Sequence, residues 1–313
     1  MIDNEKINEQ LEKPILEPII EIKEDKKKKY EIYISIFKFI LLCLCIVIIA
    51  IPYSKKSKSE EPSIGLVNLY INTHKDFANN LIYNPAYKIL CDDLSQIKNE
   101  YKIKVIPTNE NNTLYQKRVS YCEGAKMHYI WQLYKTGNIT SKYVGFFHYR
   151  RLFDFKNDIP DLDSLFKNYD VLLPQRMYFP YSMYDQFKKS HIVHFLDEAI
   201  EIIKDKYPDY YPSAKSFFQK KWANFCNIFI MKKEDFIKWG DFVYGVMYEV
   251  DKKNNFTTDA DVRNLITKEI NKCEGTKDIN YQSRIGGYVL ERLSNVFYDK
   301  HFQKRKEIKV ISL

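Results

Sequence analysis

The sequence predicts an α/β domain that follows a single N-terminal transmembrane helix. Short, densely apolar runs typical of buried strands alternate along the chain with longer amphipathic segments typical of helices. Residues 32–53 form one apolar stretch of about twenty residues, which is the length a helix needs to cross a bilayer. Residues 63–313 contain no proline- or glycine-rich break, which favours one domain there.

The N-terminal part divides into a tail, an anchor and a stem. Residues 1–31 are rich in Glu, Lys and Asn without hydrophobic periodicity, so we expect a disordered cytoplasmic tail. The span 32–53 lacks a small-residue cleavage site, which indicates an uncleaved signal anchor. Lysines are denser before the span than after it, which predicts type II topology with a short polar stem at 54–62.

The distribution of charge and the spacing of the cysteines argue against two classes of function, nucleic-acid binding and zinc binding. The formal net charge is +8, but Lys and Arg are spread along the chain without a nucleic-acid-binding motif, so we predict no nucleic-acid partner. A basic domain suits a diphosphate-bearing substrate or a place near a membrane surface. Cys91, Cys122, Cys226 and Cys273 lie far apart, which argues against a zinc site.

The soluble domain opens with predicted strands at 65–72 and 102–107, followed by a helix over 120–134. Two short apolar runs, 143–147 and 169–173, are typical of strands in the middle of a covered sheet. Beyond these, we expect helices at 183–190, 194–206, 213–222, 233–250, 259–270 and 282–298, and a strand at 227–231.

The most informative segment is YVGFFHYRRLF, in which a buried strand ends abruptly in His148, Tyr149, Arg150 and Arg151. In open α/β sheets, ligands bind beyond the carboxyl ends of the strands. Two adjacent arginines offer fixed cationic forks for a phosphate or diphosphate. The alternative is an arginine pair that only covers the end of the sheet.

Thr73, His74 and Lys75 follow the first predicted strand. If the sheet is parallel at this point, these residues share an edge with His148. They would then form a loop that could face a bound nucleotide at this edge.

A second polar cluster lies on the predicted helix 183–190. Its Gln186 and Lys189, together with His191, could bind hydroxyls or phosphate. Asp185 or His191 could act as a general base. The alternative is a solvated helix face with a lone histidine.

Arg284 opens the last predicted helix, which contains Gly286 and Gly287 in its first turns. Two glycines early in a helix let another backbone or a ligand approach closely. Farther along this helix, Glu291 beside Arg292 is either a structural ion pair or a catalytic carboxylate.

Two Asp-x-Asp triplets occur, at 161–163 and 259–261, and either could be proposed as a metal site. Both lie at predicted helix starts, where aspartates cap free N–H groups and interact favourably with the helix dipole. We therefore favour the capping role.

The domain resembles a bacterial family of capsular and exopolysaccharide glycosyltransferases, long catalogued as a domain of unknown function, with galactofuranosyltransferase-like members. The motifs that carry the resemblance are THK at 73–75, YCE at 121–123, HYRR at 148–151, YDVLLP at 169–174, YDQFKKSH at 184–191, KYPDY at 206–210, NIFIMKK at 227–233 and QSRIGGYVLERL at 282–293. They span nearly all of residues 63–298. The chain departs from the family at Gly124-Ala125, where Leu-Thr is usual.

The resemblance implies a GT-A-like, nucleotide-sugar-binding α/β fold and transfer of a sugar from a nucleotide-sugar donor to a glycan or glycoconjugate acceptor. The strand at 143–147 would usually end in an Asp-x-Asp that holds a divalent metal, but HYRR occupies that place. We expect no metal cofactor, and hypothesise that Arg150 and Arg151, with His148, neutralise the departing diphosphate. The expected nucleotide-sugar-binding residues are Thr73, His74, Lys75, His148, Tyr149, Arg150, Arg151, Gln186, Lys189 and Arg284. The candidate catalytic residues are Asp185, His191 and Glu291, and we favour the segment that holds Asp185 and His191, because it belongs to the YDQFKKSH motif.

Two other functions fit the same residues. One is a non-catalytic, membrane-anchored carbohydrate-binding protein on the same fold. The other is a membrane-bound phosphoryl-transfer enzyme, although no Walker-type loop supports it. The predicted location is the membrane, as a single-pass type II protein, in the Golgi or ER if the source is eukaryotic. A bacterial or viral membrane enzyme is the alternative.

Overall fold

The computed structural model describes residues 65–77, 82–97, 103–109 and 112–312. The predicted tail, the anchor at 32–53 and the stem lie outside these ranges. Within them, no helix is both long and apolar enough to cross a membrane. The described residues belong to one compact unit, Glu61–Leu313.

Strands and helices alternate along the described chain, which confirms the predicted α/β class. The strands are β1 (Val67–Thr73), β2 (Tyr87–Cys91), β3 (Lys104–Pro107), β4 (Tyr143–His148), β5 (Arg151–Phe153), β6 (Val171–Pro174), β7 (Met177–Tyr178), β8 (Trp222–Ala223), β9 (Phe229–Lys232), β10 (Arg305–Ile308) and β11 (Val310–Ser312). The helices are α1 (Arg118–Tyr121), α2 (Glu123–Lys135), α3 (Leu162–Asn168), α4 (Met183–Ser190), α5 (His194–Lys206), α6 (Tyr211–Gln219), α7 (Lys233–Asn254), α8 (Asp259–Glu269), α9 (Ile279–Gln282) and α10 (Ile285–His301).

The main sheet of the described residues runs in the order β10-β6-β9-β4-β1-β2-β3, and β5 pairs with both β4 and β11. Strand β1 lies parallel to β2 on one side and to β4 on the other. Strand β9 is antiparallel to both β4 and β6. The carboxyl ends of β1, β2, β4 and β6 therefore lie at one edge of the sheet.

The central strands are apolar because helices or loops cover both faces of the sheet. Successive residues point to opposite faces, so Tyr70 and Phe146 join one hydrophobic cluster, whereas Ile71 and Phe147 join the other. The first cluster also contains the inward sides of α2, α7 and α10. These layers fix the carboxyl edge of the sheet rigidly in place.

The structure agrees with several predicted elements and differs at others. Helices α4 and α5 have the predicted bounds, 183–190 and 194–206. The single helix predicted at 120–134 is two helices, α1 and α2, which Cys122 separates with a φ of 52°. Strand β2 was not predicted, and β5 and β11 are three-residue strands, too short to give a periodic signal.

Candidate functional site

The carboxyl ends of β1 and β4 bring two of the predicted motifs together. Asn72 is the register partner of His148, and the backbone N–H of Tyr149 donates to the Asn72 carbonyl at 3.0 Å. Tyr149 and Arg150 form the turn between β4 and β5, with His148 paired to Arg151 across it. The HYRR motif is therefore a tight hairpin at the edge where ligands of α/β sheets bind.

A cavity of about 320 Å³ opens at this edge, and we refer to it as the basic cavity. It is lined by Asn72, Thr73, His74, Asp92, Arg118, Val119, Cys122, Glu123, Lys126, His148, Arg150 and Arg284. Lys126 is buried and forms an ion pair with Asp92. Arg118, Arg150 and Arg284 give the cavity its positive charge, and guanidinium groups match phosphate oxygens in geometry.

The two histidines of the basic cavity are neutral at pH 7. Burial, followed by the charges of Arg150 and Arg151, lowers the pKa of His148 to about 4. Burial, followed by the charge of Lys126, also lowers the pKa of His74. The backbone N–H of Arg150 donates to Nδ1 of His148 at 3.3 Å, so the proton of the neutral ring lies on Nε2. His148 can therefore donate one hydrogen bond to an anion.

Tyr149 and Lys75 support this edge but do not line the basic cavity. Tyr149 is buried, with its ring centroid 4.4 Å from that of His148, 5.3 Å from that of His74 and 5.9 Å from that of Phe77. The ammonium of Lys75 lies 5.7 Å from the centre of the Tyr149 ring. The packing of Tyr149 fixes the two histidines relative to each other.

A second cavity, of about 460 Å³, is lined largely by aromatic and apolar side chains, and we refer to it as the aromatic cavity. Its lining residues are Arg151, Pro174, Gln175, Met177, Phe179, Gln186, His191, Phe225, Cys226, Ile228, Tyr281, Tyr288, Glu291, Arg292 and Val310. The arginine pair thus divides between the two cavities, with Arg150 at the basic cavity and Arg151 at the aromatic one.

Glu291 is the carboxylate of the aromatic cavity. Its side chain is 15% exposed, and Oε2 accepts a hydrogen bond from Nη1 of Arg292 at 3.0 Å. Oε1 accepts from the backbone N–H of Cys226. Burial raises the pKa of Glu291 against the opposing effect of Arg292, and the nearby Glu123 carboxylate raises it further. Glu291 is therefore a stronger base than an exposed glutamate.

Arg292 is held by several contacts at once. It is 3% exposed, Nη2 donates to Oε1 of Gln186, and its guanidinium lies 4.9 Å from the ring centre of Phe225 and 5.2 Å from that of Phe187. Gln186, which the sequence predicted to bind the donor, lies in the aromatic cavity and holds Arg292 in place.

A strained turn connects the two cavities. Cys226 and Asn227 have φ values of 76° and 49°, a backbone region that residues other than glycine rarely adopt. Cys226 donates its N–H to Glu291, while Nδ2 of Asn227 donates to Oε1 of Glu123 in the basic cavity at 3.1 Å. Nη1 of Arg151 lies 2.7 Å from the Cys226 sulfur. One turn thus contacts a carboxylate from each cavity, and such strain concentrates at functional sites.

His191 lies deep in the aromatic cavity and is 4% exposed. Its ring stacks on Tyr288 at 3.9 Å between centroids and on Tyr281 at 5.7 Å. Burial, followed by the charge of Arg292, lowers the pKa of His191 to about 3, so the imidazole is neutral. Nδ1 has no hydrogen-bond partner among the described residues.

Asp185 and Lys189 line neither cavity. The N–H of Asp185 donates to Oγ of Ser182 at 3.1 Å, and Oδ2 accepts from the same hydroxyl at 2.7 Å. This arrangement caps the start of α4, because Ser182 is the N-cap residue. Lys189 is exposed, and its ammonium lies 5.6 Å from the centre of the Tyr181 ring.

Both Asp-x-Asp triplets serve as caps or surface contacts. Asp161 caps α3, and Asp261 forms a capping box at the start of α8. Asp163 accepts from the Tyr143 hydroxyl at 2.6 Å. Asp259 accepts the backbone N–H groups of Val119 at 3.0 Å and Ser120 at 2.8 Å, and so caps α1 from a distant part of the sequence.

The residues at the end of β4 do not fit a divalent metal ion. Three arginines surround the cavity, and the Asp92 carboxylate is already paired with Lys126. Glu123 accepts from Asn227 instead of pointing to a partner carboxylate. Among the described residues, no group of three or more His, Cys, Asp or Glu side chains is arranged to hold a metal.

Sequence reasoning did not single out Arg118, Lys126, Glu123 or Arg292 as site residues, although Glu123 and Arg292 lie within motifs it quoted. One usable signal was Lys126, a basic residue that follows Ala125 and precedes Met127 on the helix the sequence predicted. Arg118 gave no such signal, because α1 is positioned by its contact with Asp259.

The model of a family described as "Domain of unknown function (DUF4422)" matches residues 68–303. A search of curated protein sequences gives no match. Among solved structures, the bifunctional glycosyltransferase WbbM in its apo form superposes with a TM-score of 0.59 at 19% identity.

The match with WbbM covers 79% of this chain and 45% of the WbbM chain, so the matched part is less than half of that protein. This likeness shows that the domain has a glycosyltransferase-like fold. The family match includes the HYRR hairpin, the strained turn and Glu291, and it extends over most of the sequence. The chain therefore belongs to the DUF4422 family.

Proposed function

We propose that this protein is a glycosyltransferase that moves a sugar from a nucleotide-sugar donor to a glycan or glycoconjugate acceptor. The observation that carries the proposal is the pair of adjoining cavities at the carboxyl edge of the sheet. One cavity is basic, and the other holds a largely buried carboxylate, Glu291. The fold shared with WbbM supports the same activity.

The basic cavity binds the diphosphate of the donor. Arg118, Arg150 and Arg284 supply guanidinium groups, and His148 supplies a neutral N–H donor. Charge-assisted hydrogen bonds of this kind stabilise the negative charge that builds up on the leaving diphosphate. This assignment changes the sequence-based hypothesis in one respect, because Arg151 lines the aromatic cavity and not the cavity that binds the diphosphate.

Glu291 acts as the general base. The acceptor oxygen attacks the anomeric carbon of the donor, and the bond from this carbon to the diphosphate oxygen breaks. The nucleoside diphosphate leaves with the electron pair, and the acceptor proton passes to the Glu291 carboxylate. Each carboxylate oxygen accepts one hydrogen bond from the protein and keeps a second lone pair for the acceptor hydroxyl.

Residues 32–53 would anchor the enzyme in a membrane, with the catalytic domain on the side opposite the N-terminal tail. The sequence supports this part of the proposal through its apolar span and flanking lysines. An anchored transferase would act on acceptors that are themselves held at or near the membrane.

The full-length protein should be incubated with a panel of nucleotide sugars while release of nucleoside diphosphate is measured. We expect turnover of one donor, and we expect Arg150→Ala/Arg284→Ala to abolish it. Lys204→Ala removes an exposed lysine of α5 outside both cavities and serves as the matched control. A folded protein that binds sugars but turns over no donor would support the non-catalytic alternative.

A further inference from the structure

Strand β7 and the residue that follows it contribute alternate side chains to the aromatic cavity. Met177 and Phe179 line the cavity, whereas Tyr178 between them does not. This pattern follows from the two-residue period of an extended chain. Met177 lines the cavity and is 51% exposed, so a large apolar side chain is accessible to a ligand there. Exposed apolar groups beside a cavity mark a place where a ligand binds.

Two residues that line the aromatic cavity carry buried polar atoms without partners. Nδ1 of His191 and Nε of Arg292 are buried and make no hydrogen bond within the described residues. Their residues are 4% and 3% exposed, and both line the cavity. A buried polar atom without a partner costs free energy, which a ligand hydroxyl that reaches it would recover.

The two buried charges of this cavity compensate each other. Glu291 and Arg292 pair with each other, and aromatic rings cover the guanidinium. Arg151 is exposed to solvent, contacts the Cys226 sulfur and forms no ion pair within the described part of the chain. Because the remaining lining is mainly apolar and aromatic, the cavity suits an uncharged ligand better than the basic cavity does. Its aromatic faces suit the C–H face of a sugar ring, because these faces carry partial negative charge.

We infer that the aromatic cavity is the acceptor subsite, and that it binds the terminal sugar ring of an uncharged carbohydrate. The ring packs against Met177 and Phe179 at the rim, one hydroxyl reaches His191 Nδ1, and the attacking hydroxyl lies at Glu291. A volume of about 460 Å³ is within the usual range for a small-molecule pocket. The inference rests on the proposed function, because it names the acceptor of that reaction.

The test uses methyl glycosides of the common hexoses as acceptors for the full-length protein, with the donor identified above. Initial rates are measured while donor and glycoside concentrations are varied separately. For Met177→Ala/Phe179→Ala we expect the glycoside KM to rise about tenfold or more, since anchor side chains dominate binding. The donor KM should stay within about twofold, since the basic cavity is untouched. Tyr178→Ala, the neighbouring residue that points away, should leave both constants unchanged.

A second variant probes the floor of the cavity. His191→Phe keeps an aromatic ring between Tyr281 and Tyr288 but removes Nδ1, and we expect it to raise the glycoside KM while the donor KM holds. Equal glycoside KM values for wild type, the rim variant and His191→Phe would overturn the inference. Donor turnover without any saturable glycoside would overturn it as well. A wild-type protein that turns over no donor would instead remove the proposed function itself.

Discussion

Nη1 of Arg292 lies 3.0 Å from Oε2 of Glu291, although the two residues are neighbours in one helix. Adjacent helical residues point about 100° apart and do not normally face each other. Here Gln186 and two phenylalanine rings turn the Arg292 guanidinium toward the carboxylate. The pair is thus an ion pair, and Glu291 also lines a cavity. The sequence left open whether Glu291 is part of a structural ion pair or a catalytic carboxylate, and the structure allows Glu291 to be both.

Removing the negative charge of Glu291 tests its role as base. We expect Glu291→Gln to lower kcat by about 10²- to 10⁴-fold, the usual contribution of a general base. The affinity for nucleoside diphosphate, measured by calorimetry, should be unchanged, because the amide keeps the shape of the side chain. Glu249→Gln, which removes a carboxylate paired with Lys206 on the surface, is the control. Loss of less than about threefold in kcat would contradict the assignment.

The pH dependence of the reaction follows from the raised pKa of Glu291. A base works in its deprotonated form, so kcat/KM should fall as the pH drops through this pKa. Because burial raises the pKa, the fall should begin at a higher pH than for an ordinary glutamate. A pH–rate profile from pH 4 to 9 checks this expectation. A profile that stays flat down to the ordinary glutamate pKa would argue against Glu291 as the base.

His191 makes stability depend on pH. Its pKa falls from 6.5 to about 3 on folding, so between these values the unfolded chain binds a proton that the folded protein excludes. The free energy of unfolding is therefore not reduced by His191 above pH 6.5, and it decreases as the pH falls from 6.5 toward 3. The slope reaches at most about 1.4 kcal/mol per pH unit. His191→Phe should reduce the loss of unfolding free energy between pH 6 and 4, measured with urea. Identical slopes for both proteins would refute this effect.

A buried ion pair joins Lys117, the residue that precedes α1, to α7. Lys117 Nζ pairs with Asp251, which also accepts from the Tyr121 hydroxyl at 2.6 Å. We expect Lys117→Met to lower the free energy of unfolding by about 3–5 kcal/mol, because it leaves a buried carboxylate uncompensated. Lys117→Met/Asp251→Asn should recover most of this loss, since the amide still accepts from Tyr121. Denaturant titrations give the free energy of unfolding of both variants. If both lose the same amount relative to the wild type, the uncompensated buried charge is not the cause.

The sequence predicted those parts of the fold that depend on local pattern. Helix α5 carries an apolar face along its whole length, and its bounds agree with the prediction. The break at Cys122 depends instead on the approach of α10, in which Gly287 lies against Cys122 and Tyr121. A Cβ on Gly287 would lie 3.1 Å from the Cys122 sulfur. The glycine pair thus accommodates another backbone, one of the two possibilities that the sequence allowed.

The candidate site was predictable only where its residues follow a strand directly. Thr73 and His148 lie at the carboxyl ends of paired parallel strands, as expected. Asp185 was expected to be a catalytic candidate, but it forms a helix cap with Ser182. The spacing of three residues between Ser182 and Asp185 is typical of such a cap and was visible in the sequence. Arg118 was not predictable, because Asp259 positions its helix across a long stretch of chain.

The most direct test of the account is a crystal structure of the protein with a nucleoside diphosphate bound. We predict that the diphosphate lies in the basic cavity, within hydrogen-bond distance of Arg150 and Arg284. The aromatic cavity should stay open beside it, with Glu291 at the border. A diphosphate bound in the aromatic cavity, or away from both arginines, would contradict the account.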